Sequence, residues 1–380
     1  MNSVEILERL ISFPTVSRDP NLGLIDFVRE FLAGCGIESR LYVDASGRKA
    51  NLYASVGPQD RGGVLLSGHT DVVPVDGQAW SSDPFRLREQ GGRLFARGSA
   101  DMKGFIACAL RAAQLARKRE LKLPLQLAFS YDEEVGCLGV RSLIAGMAGW
   151  AHRPKFCIVG EPTLLRTAVG HKGKTAMRAS CRGRAAHSAR PAAGVNAIHM
   201  AVDFIGAVRA RQAQLEATGL RDPAYEVPYT TLHVGVIHGG SALNIVPDHC
   251  ELELEIRNLA ADDPQALVAA LRADAAAVSV ATRGGPDCGI DLAISNEYPG
   301  LETAPEAEIV GFVAALTGNR ERIKVGFGSE AGLFSSQLGV PSIVCGPGSI
   351  EQAHKPDEFI ALDQLARCDA MLDALLERLA

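Results

Sequence analysis

Val64-Leu-Leu-Ser-Gly-His-Thr-Asp71 begins as a short apolar run and closes in a histidine and an aspartate. Two later stretches repeat the pattern. Leu125-Gln-Leu-Ala-Phe-Ser130 runs into Tyr131-Asp-Glu-Glu134, and Phe156-Cys-Ile-Val159 runs into Gly160-Glu-Pro162. A fourth run, Ser342-Ile-Val-Cys345, leads through Gly346-Pro-Gly348 towards His354. Continuous apolar runs of this length, bounded by turn residues, are how strands buried on both faces of a mostly parallel sheet read. Helical spacing over residues 4–12, with Ser3 as N-cap, over 22–32 up to Gly34 and Gly36, and over 105–119 supplies covering helices. The expected fold class is α/β, a mostly parallel sheet sandwiched by helices.

The middle of the chain reads differently. Residues 175–181, 229–236 and 250–257 alternate with period two, as half-buried strands do, and helical patterns cover 195–215 and 264–281. The order strand–helix–strand–strand–helix–strand, closing near 290–295, predicts an inserted α+β domain of ferredoxin-like plan with one sheet face covered. Its boundaries fall near 171–173 and 297–300. The expected organisation is a discontinuous domain, 1–172 with 298–380, around an insertion at 173–297. The alanine-rich 273–277 needs no explanation beyond helix propensity.

Composition excludes several classes. With 47% hydrophobic and 22% charged residues, the 380-residue chain is not disordered. A net charge of −5, with no basic cluster interleaved with aromatics, argues against a nucleic-acid partner. The N-terminus MNSVEILERLISFPTV is acidic early and lacks a long apolar core, so it does not read as a signal peptide. No stretch approaches 18 apolar residues, so no membrane span is expected. Met1 and the C-terminal helical pattern are expected to bound a complete, untagged chain. Nine cysteines stand singly with no CxxC, which points to reduced thiols in the cytoplasm and away from a cysteine-built zinc site.

In open α/β sheets ligands bind beyond the carboxyl ends of the strands. There the sequence gathers His69, Asp71, Asp132, Glu133, Glu134 and Glu161. Asp101, at the start of the helix after Gly98-Ser-Ala100, and His354 join them. Taken singly, each has a bland reading: an aspartate opening a helix is usually an N-cap, and a glutamate after a strand is usually solvated. His152, His199 and His249 are left as structural or surface residues on that ground. Joint occurrence at successive strand ends is not bland, and it reads as a hard-to-borderline divalent metal site. His69 and Asp71 alternate along an extended segment, so Asp71 is placed to accept the second ring N–H of a metal-bound His69. Adjacent Glu133 and Glu134 are expected to divide the work, one binding metal and the other taking a proton from water.

These residues carry a family resemblance. Gly68-His-Thr-Asp71, Gly98-Ser-Ala-Asp-Met-Lys-Gly104, Asp132-Glu-Glu134, Gly160-Glu-Pro162 and the late His354 resemble, in order and across nearly the whole chain, the motifs of the M20 family of two-metal peptidases and deacylases. Residues 69–77, Gly170-His-Lys-Gly173 and Gly348-Ser-Ile-Glu-Gln-Ala-His-Lys-Pro-Asp-Glu358 are similar to amino-acid deacylases of that family. The resemblance implies two divalent ions, Zn2+ or alternatively Co2+. His69 and Glu161 would hold one, Glu134 and His354 the other, and Asp101 would bridge them. Asp71 would orient His69, and Glu133 would be the general base.

It implies further that the insertion is a dimerisation or lid domain of a homodimer. His187, in Arg184-Ala-Ala-His-Ser-Ala-Arg-Pro191, would reach the partner subunit's active site and stabilise an oxyanion. Ala186 replaces the family's usual glycine there. Asn244 and Arg257 match positions that hold substrate, the guanidinium being suited to a bidentate grip on an α-carboxylate. Gly326-Phe-Gly-Ser-Glu-Ala-Gly332 lacks a phosphate-loop context and reads as a substrate-binding loop, with the N–H groups of Gly328 and Ser329 facing the ligand. Glu330 is the candidate partner for a cationic substrate side chain, which must be paired when desolvated. No Gly-x-Ser-x-Gly nucleophile motif is present. His171-Lys172 is expected at a boundary or on the surface. The expected activity is metal-dependent hydrolysis of the amide in a small N-acylated amino acid. A different deacylase or dipeptidase specificity, or a scaffold that lost catalysis, are the competing readings.

Overall fold

A computed structural model describes residues 1–282 and 284–380. The chain divides into two compact units, Met1–Gly170 with Leu301–Lys324 and Ser329–Ala380, and His171–Gly300 with Val325–Gly328.

The first unit is built on a nine-stranded sheet. Its centre is four neighbouring parallel strands in the order Leu125–Ser130, Val64–His69, Phe156–Pro162 and Ser342–Gly346. Every residue of these four strands is buried, which is why they read as continuous apolar runs. Helices Ser3–Ile11, Leu22–Gly34, Gly104–Ala116, Glu308–Thr317 and Leu362–Leu379 lie on one face, and Val140–Ala148 with Ala331–Leu338 on the other. Leu66 and Ile158 share a core with Phe105, Ile106, Leu372 and Leu376. Gly160 lets the sheet approach this helix layer, because a Cβ there would stand 2.0 Å from the Phe105 ring.

Antiparallel strands Ser39–Val43 and Ala50–Val56 extend one edge of the sheet, and Thr167–His171, Leu301–Glu302 and Arg322–Val325 the other. None of these stood out in the sequence, since Ser39–Val43 is only half-buried and the last two are very short. Three finer readings are corrected. Asn2, not Ser3, caps the first helix, because its side chain accepts Glu5 N–H while Glu5 returns a bond to the Asn2 backbone. Asp101 precedes the helix instead of opening it: residues Ser99–Lys103 form an irregular turn, Asp101 has φ −122° and ψ 91°, and the Asp101–Met102 peptide is cis. The glycine-rich stretch 326–332 is loop only at its start, because Ala331–Leu338 is helical.

The second unit is a four-stranded antiparallel sheet in the order Thr231–Gly239, His249–Asn258, Gly173–Arg182 and Gly289–Tyr298. Helices Ala197–Thr218 and Pro264–Ala281 pack on one face. Alternate residues such as Met177, Ala179, Leu252 and Leu254 meet Met200, Phe204 and Leu271 in its core. His171 and Lys172 begin this unit and are both buried, so the surface alternative for that pair is corrected. The Lys172 ammonium donates to the Tyr229 carbonyl at 2.6 Å. All nine cysteines are free thiols, seven of them buried. No helix among the described residues is long and apolar enough to cross a membrane.

Candidate metal centre and active site

The parallel strands stop in register at one rim. His69 ends its strand opposite Ser130, and the Thr70 hydroxyl donates to the Ser130 carbonyl at 2.7 Å, tying the two strand ends together. His69 Nε2 lies 3.0 Å from Asp101 Oδ1 and 3.7 Å from Glu161 Oε1. The other Asp101 oxygen, Oδ2, is 3.4 Å from His354 Nε2, which is 3.1 Å from Glu134 Oε2. Asp101 therefore stands between two His–Glu pairs, and its two oxygens face different histidines.

Asp71 lies behind His69, but Nδ1 stands 2.9 Å from its backbone carbonyl and 3.6 Å from Oδ1, so the expectation that the carboxylate accepts the ring N–H is corrected: the carbonyl meets it. The Asp71 carboxylate accepts the Glu133 N–H on Oδ1 at 3.1 Å, the Glu134 N–H on Oδ2 at 3.3 Å and the Ser17 hydroxyl on Oδ2 at 2.7 Å. Residue 71 thus orients the histidine ring through its carbonyl and the turn that carries both glutamates through its carboxylate. Lys49 clamps that turn from outside, 2.5 Å from Asp132 Oδ1, where Asp132 has a φ of 55°. The Cys137 thiol donates to Glu133 Oε1 at 3.3 Å.

So many buried acids disturb one another. Burial pushes Glu133 up to about 8, with the Glu134 charge adding and the His69 charge opposing. Burial and then the Asp101 charge raise Glu134 to about 6, and the same two causes raise Glu161. Hydrogen bonds to Asp101 and Glu134 carry His354 up to about 10. Burial works against a charged His69, but Glu161 and Asp101 prevail and lift it well above the ordinary imidazole range. Burial likewise opposes ionised Asp101, yet the two histidines hold it below the usual carboxylate range.

The donor set fits divalent cations. Among the described residues buried Glu161 Oε1 has no hydrogen-bond partner, although a lone carboxylate oxygen is costly to bury. Ligand atoms of His69, Glu133 and Glu161, and those of His69, Asp101 and Glu134, each fall within 4.8 Å of one another. Nitrogen and carboxylate donors without thiolate suit zinc and its borderline neighbours. A cation replaces the protons that now keep the cluster tolerable.

The remaining sequence-predicted residues are placed as follows. His187 and Asn244 come together in the second unit on a two-stranded ribbon, where His187 pairs with Ile245 and the Ser188 N–H bonds the Asn244 carbonyl. Both are exposed. Arg257, on His249–Asn258 of the same unit, donates Nε to Glu255 and Nη1 to the Tyr298 hydroxyl, both at 3.0 Å. Gly328 lies against Tyr298, since a Cβ there would stand 2.1 Å from the ring. Ser329 is buried, and its hydroxyl accepts the Ala331 N–H. Glu330 is 1% exposed, with one oxygen accepting from Ser67 at 3.1 Å and the other from Ser130. Burial pushes it up to about 7. Both oxygens are engaged beneath the strand ends, so the expectation that Glu330 pairs a substrate cation is corrected: it braces the two strands that carry His69 and the Glu133–Glu134 turn. Ser17, Ser67, Ser130, Gln78, Arg97 and Tyr298 were missed, and Glu358 was quoted only as the end of a motif. Only Arg97, adjoining Gly98, and Glu358 carried any signal.

Residues 65–378 match the model of peptidase family M20/M25/M40. A curated relative from Myxococcus xanthus, described as acetylornithine deacetylase, is 37% identical over 374 residues, covering 96% of this chain and 94% of that one. Among solved structures, an M20 family metallo-carboxypeptidase from Sulfolobus solfataricus superposes with a TM-score of 0.79 at 18% identity, covering 99% of each chain. A dinuclear metal-binding M20 peptidase from Bacillus subtilis gives 0.68 at 15%, covering 99% of this chain and 97% of that one.

Proposed function

This chain belongs to peptidase family M20/M25/M40, and on that premise we propose that it removes the acetyl group from N2-acetyl-L-ornithine, giving L-ornithine and acetate, as a step of arginine biosynthesis. The observation that carries the reading is Asp101 standing between the His69–Glu161 and His354–Glu134 pairs, with Glu133 beside them. Similarity to the Myxococcus acetylornithine deacetylase supports the choice of acyl group and amino acid.

His69 and Glu161 would hold one divalent ion, His354 and Glu134 the other, and Asp101 would serve both. Such ions, when bound, make water acidic near neutral pH and polarise a carbonyl. Glu133 accepts a proton from the attacking water as the C–O bond forms, then delivers it to the α-nitrogen as the amide C–N bond breaks. Asp71 holds the Glu133 backbone with its carboxylate and the His69 ring with its carbonyl. Arg257 and Asn244 grip the α-carboxylate, and His187 from a second copy of the chain donates to the tetrahedral oxyanion. The reading places the enzyme in the cytoplasm as a homodimer, with Zn2+ as its metal and Co2+ as a substitute.

The deciding assay offers purified protein, with added Zn2+ or Co2+, N2-acetyl-L-ornithine beside N-succinyl-diaminopimelate and simple dipeptides. Turnover of acetylornithine with a kcat/KM at least tenfold above the others supports the reading. Preference for succinyl-diaminopimelate or a dipeptide transfers the chain to another activity of the family.

A further inference from the structure

We infer that Gln78, Arg97 and Glu358 form one hydrogen-bonded frame that sets Asp101 and His354 in register, making these three the positioning residues for the ion that both ligands share. The inference rests on the reading of Asp101 and His354 as ligands.

Glu358 is 1% exposed, and its two oxygens have separate partners. Oε1 accepts the backbone N–H groups of Ala100 at 2.9 Å and Asp101 at 3.1 Å. Oε2 accepts Arg97 Nη1 at 2.7 Å. Arg97, also 1% exposed, donates Nη1 to the Lys355 carbonyl at 3.2 Å and Nη2 to Gln78 Oε1 at 2.6 Å. Its guanidinium lies 5.0 Å from the centre of the Trp80 ring. Gln78 then donates Nε2 to the His354 carbonyl at 3.1 Å. The bonds run unbroken from the backbone of one ligand to the backbone of the other.

Stability does not account for this pair. Two buried charges cost more to desolvate than an apolar pair of the same volume, and Arg97 Nε has no hydrogen-bond partner among the described residues. What the pair supplies is direction. A carboxylate spanning two successive N–H groups fixes the peptide from which Asp101 projects, in a turn that has no helical geometry of its own. The rigid fork of the guanidinium carries that alignment to the loop of His354. No regular element holds His354, which has a φ of 62°, and its carbonyl is fixed by Gln78. Hydrogen-bond partners behind metal ligands typically change affinity about 10- to 100-fold.

Gln78 is half-buried and belongs to no helix or strand, so its replacement spares the fold. The test titrates Zn2+ into the metal-stripped full chain by calorimetry, comparing wild type with Gln78→Leu and Gln78→Glu. Gln78→Leu removes both links. Gln78→Glu keeps the acceptor for Arg97 and loses the donor to His354. In both variants one of the two ions is expected to bind at least tenfold more weakly, while the other stays within twofold and the melting temperature of the metal-free protein is unchanged. The visible spectrum of the Co2+-loaded protein should change for the loosened ion alone. Two affinities within twofold of wild type overturn the inference, and so does an equal loss of both ions alongside a lower melting temperature. A wild type that takes up fewer than two ions contradicts the proposed function itself, and the inference with it.

Discussion

Asp71 Oδ1 accepts the backbone N–H of Glu133 at 3.1 Å while standing 3.6 Å from Nδ1 of His69. Residue 71 thus touches both parts of the proposed site: its carboxylate holds the turn of Glu133, read as the base, and its carbonyl lies 2.9 Å from the ring of His69, read as a metal ligand. Asp71→Asn is nearly isosteric, but it turns an NH2 group towards at least one donor among Glu133 N–H, Glu134 N–H and Ser17 Oγ. The variant is expected to lose about 10- to 100-fold in metal affinity and to lose kcat even at saturating metal. Zn2+ titration followed by steady-state assay checks both. Normal kcat at saturating metal would mean that Asp71 does not place the base.

The sign of the metal's effect with pH follows from the carboxyls. Glu133, Glu134 and Glu330 are raised in the folded chain to about 8, 6 and 7 from an ordinary 4.5. An acid with a raised folded pKa binds its proton more tightly when folded. The metal-free protein therefore loses stability from these groups as pH climbs from about 4.5 towards 8. His354 has the same sign over a higher window: its contribution is whole below 6.5 and disappears as pH rises through about 10. Divalent ions displace the protons, so the rise in melting temperature on adding Zn2+ should grow between pH 5 and pH 8. Scanning calorimetry with and without EDTA reads the difference. A rise that shrinks across this range contradicts the picture of carboxylate ligands.

Gly160→Ala should destabilise the protein by about 1–3 kcal/mol, because the added Cβ would lie 2.0 Å from the Phe105 ring in a fully packed core. The neighbouring Glu161 should shift with its backbone and loosen one ion. Urea denaturation with a parallel metal titration measures the two effects together. A variant as stable as wild type would show that the layers can part without cost.

The site was legible in the sequence where local pattern and chemistry coincide. The strands ending at His69, Ser130 and Pro162 are buried on both faces, so they are apolar until the rim, and the switch to His and carboxylates marks the rim itself. The frame behind the site was not legible. Arg97 and Glu358 meet across 261 residues, and nothing near either one announces the other. Glu330 misled for the same reason. Flanking glycines made it look like a loop residue, whereas Ser67, 263 positions away, helps to bury it. The half-buried strand Ser39–Val43 escaped because a sheet edge needs no continuous apolar run.

Glu133→Ala tests the central claim most directly. Glu133 is read as a base and not a ligand, so the variant should still bind two Zn2+ ions with affinities near wild type. Its kcat on N2-acetyl-L-ornithine should fall by about 10²–10⁴-fold, the usual weight of a positioned general base. A variant that hydrolyses acetylornithine near the wild-type rate, or that loses one of its two ions, contradicts the account.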